Sequence, residues 1–237
     1  ARWRILVLDY RFLDAYELAR DRLRVADISD GQRRDYRLVV LLALQRLERH
    51  EDRISIIQTW RETEPDNPEL RLWLIDAFAE ADRHDESVAL AKEVYESDPQ
   101  DRGARSILWL ALRRAEYHQS AEQLVLDAME IDPEERRLQF QLIDTLYAAD
   151  RHDDALELLD NVAIDAPRDL QIRVREKRWQ VLLDAQRFEE AIELSRSWLH
   201  EARAMQGQPD GLTNALRELL LRSLITGREF EAAIAEA

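Results

Sequence analysis

The segment Ala81-Asp82-Arg83-His84-Asp85 returns as Ala149-Asp150-Arg151-His152-Asp153, two steps of 34 residues further along the chain. Two more histidines keep the same step, and so do four of the six prolines. Two residue types that follow one period indicate an internal repeat, and such periods are typical of stacked helical units. The histidines are His50, His84, His118 and His152, and the prolines are Pro65, Pro99, Pro133 and Pro167.

Each repeat carries two helical patterns. Leu70, Leu74 and Ala77 are spaced as one face of a first helix, and a similar stripe follows from Val88. Asn67 is followed by a proline at 68, which is a favourable N-cap and first helical residue. No stretch longer than four residues alternates as a clean strand does. The sequence therefore predicts an all-α chain of helix–turn–helix units.

This pattern resembles the tetratricopeptide repeat (TPR), whose period is also 34 residues. When each repeat is numbered so that its proline is position 32, small residues fall at position 20, with Arg53 as the exception, and further small residues fall at position 10. Small residues at fixed helical offsets let two helices approach closely. The resemblance implies a right-handed solenoid of antiparallel helix pairs, with about six repeats and a partial one at the N-terminus. The small residues are Ser87, Ala121, Ala155, Ala191 and Ala233 at position 20, and Ala43, Ala77, Ala111 and Thr145 at position 10.

The repeat register also predicts the organisation of the chain. Residues 1–33 form a partial N-terminal repeat, 34–205 five repeats, 206–213 an irregular loop and 214–237 a truncated sixth repeat. The loop contains Gly207, Pro209 and Gly211, residues that interrupt helices. Both ends fall inside a repeat, so we expect the sequence to be a piece of a longer chain.

Composition limits the function. The formal charge of −15 disfavours a nucleic-acid partner, which needs clustered cations. The absence of cysteine excludes thiolate metal sites and cysteine nucleophiles. The longest apolar stretch, 38–44, is far shorter than the ~20 residues of a membrane helix, so we expect no membrane contact by this segment.

The sequence offers no catalytic or metal-binding constellation. The histidines lie in successive repeats, about two helix spacings apart, whereas zinc holds its ligands within about 2.1 Å of one ion. We therefore interpret them as packing residues and expect no enzyme activity, no cofactor and no metal. The tryptophans at 60, 109, 179 and 198 are interpreted as core residues.

The TPR resemblance implies a concave groove lined by the first helices, and this groove is the candidate binding site for a protein partner. The carboxylate clamp of chaperone-binding members is absent, because Leu72 and Asp76 stand where Lys and Asn would be. Apolar residues among mixed charges suit a helix or an extended peptide. A solvated face, an RNA-binding repeat and a purely structural spacer remain as alternatives. The candidate residues are Leu72, Asp76, Leu110, Arg113, Arg114, Phe140, Asp144 and Tyr147, with Arg113 and Arg114 expected to steer an acidic segment.

The basic residues suggest a source. Only Lys92 and Lys177 are lysines among 34 basic residues, a bias typical of GC-rich bacterial genomes. An arginine-rich, degenerate array resembles the periplasmic repeat region of bacterial exopolysaccharide secretion proteins of the Pel system. The resemblance implies a periplasmic scaffold that recruits a polysaccharide deacetylase, close to a cationic polysaccharide. The alternative is a cytoplasmic adaptor.

Overall fold

The computed structural model describes residues 2–25, 27–164 and 168–204, together with 218, 220–222 and 224–227. All regular structure in these ranges is helical, so the predicted all-α class is confirmed. The helices are α1 (Arg2–Leu8), α2 (Phe12–Leu23), α3 (Asp30–Arg46), α4 (His50–Thr63), α5 (Pro68–Glu80), α6 (His84–Ser97), α7 (Arg102–Arg114), α8 (His118–Ile131), α9 (Arg136–Ala148), α10 (His152–Ile164), α11 (Arg168–Asp184) and α12 (Phe188–Ala204).

The helices pack as consecutive pairs in two compact units. Unit 1 is Ala1–Tyr117 and contains α1 to α7; unit 2 is His118–Ala237 and contains α8 to α12. In unit 1, α5 packs on α4 and α6, and α6 packs on α7. In unit 2, α9 packs on α8 and α10, and α11 packs on α10 and α12. This arrangement is the predicted stacking of helix pairs.

One turn geometry follows every first helix. After α3, the N–H of Arg49 donates to the carbonyl of Leu44 at 2.9 Å, and the N–H of Glu48 donates to Gln45 at 3.0 Å. These bonds are the pair that defines a Schellman motif, which requires a left-handed residue after the helix. Glu48 has φ 56°, and the equivalent residues of the other turns are Tyr10, Asp82, Glu116, Asp150 and Gln186.

This turn explains the repeated Ala-Asp-Arg-His-Asp segment. Asp82 is its left-handed residue, and His84 is the first residue of α6. The other three histidines of the ladder begin α4, α8 and α10, where Phe12 and Phe188 begin α2 and α12. A constant place at the start of the second helix agrees with the structural interpretation of the histidines.

Small residues lie where the two helices of a pair come closest. Ala15, Ala121, Ala155 and Ala191 have no exposed surface, and Ser87 is 1% exposed. The Ser87 hydroxyl donates to the carbonyl of Ile75 on the preceding helix at 2.9 Å, so its one polar group is satisfied. A larger side chain at these positions would push the helices apart.

Helix starts follow the predicted caps. The Asn67 side chain accepts from the N–H of Glu69, with Pro68 as the first helical residue of α5. The Asn67 side chain also donates to Glu64. The Glu64 carboxylate accepts hydrogen bonds from both terminal nitrogens of the buried Arg37, at 2.6 and 2.9 Å. The hydrogen bonds from Arg37 and Asn67 lower the pKa of the Glu64 carboxyl to about 2. These contacts join α3 to the loop between α4 and α5.

The described residues include only part of the C-terminal region for which the sequence predicts a loop and a sixth repeat. The proposed loop at 206–213 lies outside the described residues. Within the proposed sixth repeat, Leu220 and Leu224 are buried against Ile192 and Leu199 of α12.

The left-handed turn residues generate a stability prediction. Glu116 has φ 59°, whereas the neighbouring Ala115 has φ −80°. We expect Glu116→Gly to raise the free energy of unfolding by about 0.5–1 kcal/mol, because a side chain at positive φ costs roughly 1–2 kcal/mol and glycine recovers more than its own entropic penalty. Ala115→Gly is the matched control, and it should lower stability by about 0.5–1 kcal/mol. Chemical denaturation measures the free energy of unfolding of both variants. Equal changes in the two would contradict the conclusion that residue 116 is strained at positive φ.

The close helix contact generates a second prediction. Ala155→Glu places a carboxylate at a position with no exposed surface, and we expect a loss of several kcal/mol. Ala148→Glu is the control, since Ala148 is exposed on α9, and it should change stability by less than about 0.5 kcal/mol. Thermal unfolding followed by circular dichroism compares the two, and an unaffected Ala155→Glu variant would mean that the repeat register is wrong.

Candidate partner-binding surfaces

The first helices of unit 1 lie side by side and expose a row of leucines. Leu38 on α3, Leu72 on α5 and Leu110 on α7 are 42%, 39% and 38% exposed. We call these three residues the leucine strip. Polar bridges connect the helices that carry it: Arg34 to Glu69 and Gln45 to Glu80 between α3 and α5, and Arg114 to Asp76 between α5 and α7.

A cleft of about 150 Å³ lies between α5 and α7. Leu72, Ile107 and Leu110 line it, and the Asp76–Arg114 ion pair, at 3.1 Å, also borders it. Its remaining lining comes from Ile75, Ala79, Ser87 and Ala111. A dry cavity of about this volume holds a benzene molecule in another protein, so the cleft is large enough for one apolar side chain.

A buried arginine holds the acidic side of the cleft. Arg53, on α4, is 5% exposed, and its Nη2 lies 2.9 Å from an oxygen of Asp76. Its Nη1 donates to Glu80, which also accepts from Gln45 at 2.6 Å. Arg53 occupies the position that is small in the other repeats, so the exception noted in the sequence ties α4 to α5 by charge.

Only one of the two predicted steering arginines lies at the cleft. Arg114 contacts Asp76 from α7, one helical turn beyond Leu110. Arg113 lies over the ring of Trp109 instead, with its guanidinium carbon 4.9 Å from the ring centroid. Successive helical residues point about 100° apart, so the two arginines serve different surfaces.

The candidate residues of unit 2 form a different arrangement. Phe140, Asp144 and Tyr147 lie on one face of α9, and side chains of α11 contact all three. Arg173 lies 5.1 Å from the Phe140 ring centroid, and Lys177 forms an ion pair with Asp144 at 2.6 Å. The Lys177 ammonium is also 4.5 Å from the Tyr147 ring. The chain itself therefore supplies cations to both aromatic rings, and all three α9 side chains are half-buried.

Tyr147 has a further contact on α11. Its hydroxyl donates to Asp184 and accepts from Gln180 at 3.3 Å. Burial and the bond to the Asp184 carboxylate raise the pKa of Tyr147 to about 12, since both disfavour the phenolate. Tyr147 is thus held as a neutral donor within the helix pair.

Two other classes of site are missing from the part of the chain that the structure describes. Among the residues that the structure describes, no three histidine or acidic side chains are grouped to hold a metal ion. None of the described helices has the length and apolar character to cross a membrane.

Sequence reasoning named four of the residues at the unit 1 cleft but missed two that matter there. Ile107 lines the cleft although it does not belong to the groove positions taken from the TPR pattern. Arg53 was visible as a departure from the repeat, and that departure was the available signal for a buried ionic contact.

No protein-family model and no curated protein matches this chain. Solved structures do match it. A tetratricopeptide repeat protein from Parabacteroides merdae has a TM-score of 0.61 and 12% identity, over 99% of this chain and 88% of that one. The Naa15/Naa10 structure with HypK-THB bound matches at a TM-score of 0.50 and 15% identity, over 93% of this chain and 32% of that one. The chain therefore has the fold of a tetratricopeptide repeat protein.

The arginine beneath the cleft generates a prediction. Arg53→Ala leaves Asp76 and Glu80 without their shared cation, and we expect a loss of about 1–3 kcal/mol in the free energy of unfolding. Arg49→Ala, which removes an exposed ion pair with Asp52 in the same helix region, is the control and should cost about 0.5 kcal/mol or less.

A second substitution checks the cause of this loss. In a Glu80→Gln background the effect of Arg53→Ala should shrink, because one of the two carboxylates that need the cation is gone. Urea unfolding of the four variants gives the coupling energy. A coupling near zero would show that Arg53 acts by filling space and not by charge.

Proposed function

We propose that this chain is a non-catalytic scaffold that docks a protein partner on the leucine strip of unit 1. The observation that carries the proposal is the contrast between the two units. Leu38, Leu72 and Leu110 are exposed on adjacent first helices, whereas Phe140 and Tyr147 of unit 2 are covered by cations of α11. Apolar side chains that stand exposed in a row, bordered by ion pairs, are typical of protein-binding surfaces.

The fold supports this function. Stacked helical repeats present extended surfaces on which partners bind, and they do so without catalytic groups. The Naa15/Naa10 structure, which shares the fold, was solved with HypK-THB bound to it. This precedent favours partner docking over a purely structural spacer.

A finer hypothesis concerns the biological setting. From the arginine bias we propose that this protein is a periplasmic component of bacterial exopolysaccharide export, and that its partner is a polysaccharide deacetylase. The charge of −15 would favour proximity to a partly deacetylated, cationic polysaccharide. A cytoplasmic adaptor is the alternative. Fractionation of source cells with an antibody against the chain separates the two, since recovery in the cytosol would exclude the periplasmic setting.

Affinity capture from source cells tests the docking proposal. Wild type is compared with a Leu72→Ser, Leu110→Ser double variant, and we expect the variant to lose the partner because buried apolar anchors dominate interface energy. Leu126→Ser is the matched control: Leu126 is also 38% exposed, but it lies on a second helix, α8. Mass spectrometry identifies the captured protein.

The result depends on intact folding, which circular dichroism verifies for each variant. Capture that survives the double variant would place the partner on another surface. Loss of capture in the Leu126→Ser control would point to the second-helix face instead.

A further inference from the structure

We infer that the leucine strip binds a segment of the partner in the polyproline II conformation, in which two aliphatic side chains three residues apart are followed by a carboxylate. This inference rests on the proposed function and specifies the chemistry of the partner. It follows from the cleft, from the spacing of the helices and from the position of Arg114.

The second aliphatic side chain, which precedes the carboxylate, is assigned to the cleft. Its walls, Leu72, Ile107 and Leu110, are aliphatic, and its volume of about 150 Å³ suits one leucine-sized group. Burying such a group is worth about 1.5–3 kcal/mol. The cleft therefore selects a single apolar anchor rather than a broad hydrophobic face.

The first aliphatic side chain is assigned to the space between Leu38 and Leu72. Arg34–Glu69 and Gln45–Glu80 hold α3 beside α5, as Arg114–Asp76 holds α5 beside α7. The two apolar places are therefore one helix spacing apart, which is about 8–10 Å for packed helices.

This spacing discriminates between partner conformations. A polyproline II chain has three residues per turn and rises about 3.1 Å per residue, so side chains three residues apart lie on one face, about 9 Å apart. Helical side chains at i and i+3 or i+4 are only about 5–6 Å apart, so they would fill one of the two apolar places but not the other. A helix would have to use residues seven apart.

The carboxylate is assigned to Arg114. Its Nη1 contacts Asp76 at 3.1 Å, and its side chain remains 44% exposed beside the cleft. Asp76 keeps a second partner, because Arg53 lies 2.9 Å from its other oxygen. Arg114 can therefore turn to a carboxylate of the partner without leaving Asp76 unpaired, and charge-assisted pairing with arginine is strong and directional.

Synthetic peptides test the assignment directly. The probe is acetyl-Gln-Leu-Pro-Gln-Leu-Glu-Gln-amide, in which proline blocks helix formation and the leucines are three residues apart. A control of the same composition, acetyl-Gln-Pro-Leu-Leu-Gln-Glu-Gln-amide, places the leucines at adjacent positions, about 120° apart around a polyproline II chain. We expect the probe to bind the whole chain at least tenfold more tightly than the control, as measured by calorimetry.

Variants of the chain locate the bound peptide. Leu110→Ser should weaken probe binding tenfold or more, whereas Leu126→Ser, with the same exposure, should change it less than twofold. Arg114→Gln should weaken binding of the probe about fivefold. The same substitution should leave unchanged the binding of a probe whose glutamate is replaced by glutamine, because the lost pairing needs the carboxylate.

Other results would overturn the inference. These are equal binding of probe and control, binding of neither, binding that ignores Arg114, and stronger binding of a helical peptide with leucines seven residues apart. Such results leave the docking function intact if capture of the native partner still depends on Leu72 and Leu110. Capture that ignores both leucines would instead reject the proposed function itself.

Discussion

The close approach of the two helices in each pair is the contact on which the rest of the structure depends. It requires a residue without a bulky side chain on the second helix, and Ala121, Ala155 and Ala191 meet that requirement with no exposed surface. Arg53 departs from it, and its guanidinium extends to Asp76 and Glu80 on the next helix. A buried arginine is tolerable only with such partners. The local exception to the packing rule therefore fixes two carboxylates beside the cleft, and links the fold to its candidate site.

Sequence reasoning predicted the periodic part of the structure well. The helix start at Pro68 and the cap at Asn67 follow from local rules that act within a few residues, and the buried small residues follow from the repeat. The left-handed turn was not predicted, because no glycine marks it: its residues include Glu48 and Tyr10. The chain accepts side chains there since the two Schellman hydrogen bonds and the packing of both helices outweigh the strain.

The candidate site was predicted less completely, because its contacts join residues that are distant in sequence. Arg173 reaches Phe140 and Arg114 reaches Asp76 across different helices, and no local pattern specifies which side chains meet. Groove positions carried over from the TPR resemblance also assume that the side chain at each position is available to a partner in every repeat. In unit 2 it is not, since Lys177 pairs with Asp144 and covers Tyr147. Displacing such half-buried cation–π and ionic contacts would cost a partner about 0.5–2 kcal/mol each before it gained any.

The net charge of the chain affects both the association rate of a partner and its affinity. A net charge of −15 repels an acidic segment at long range, and at physiological ionic strength this repulsion is screened beyond about 8 Å. Added salt would therefore speed the association of an acidic partner, because it weakens the repulsion that opposes encounter. Arg114 acts only at contact, and Asp76 keeps its ion pair with Arg53 when Arg114 turns to the partner. In the proposed binding mode, affinity at the leucine strip is thus set by two apolar contacts and one local cation, while the remaining surface disfavours acidic chains that lack the matching pattern.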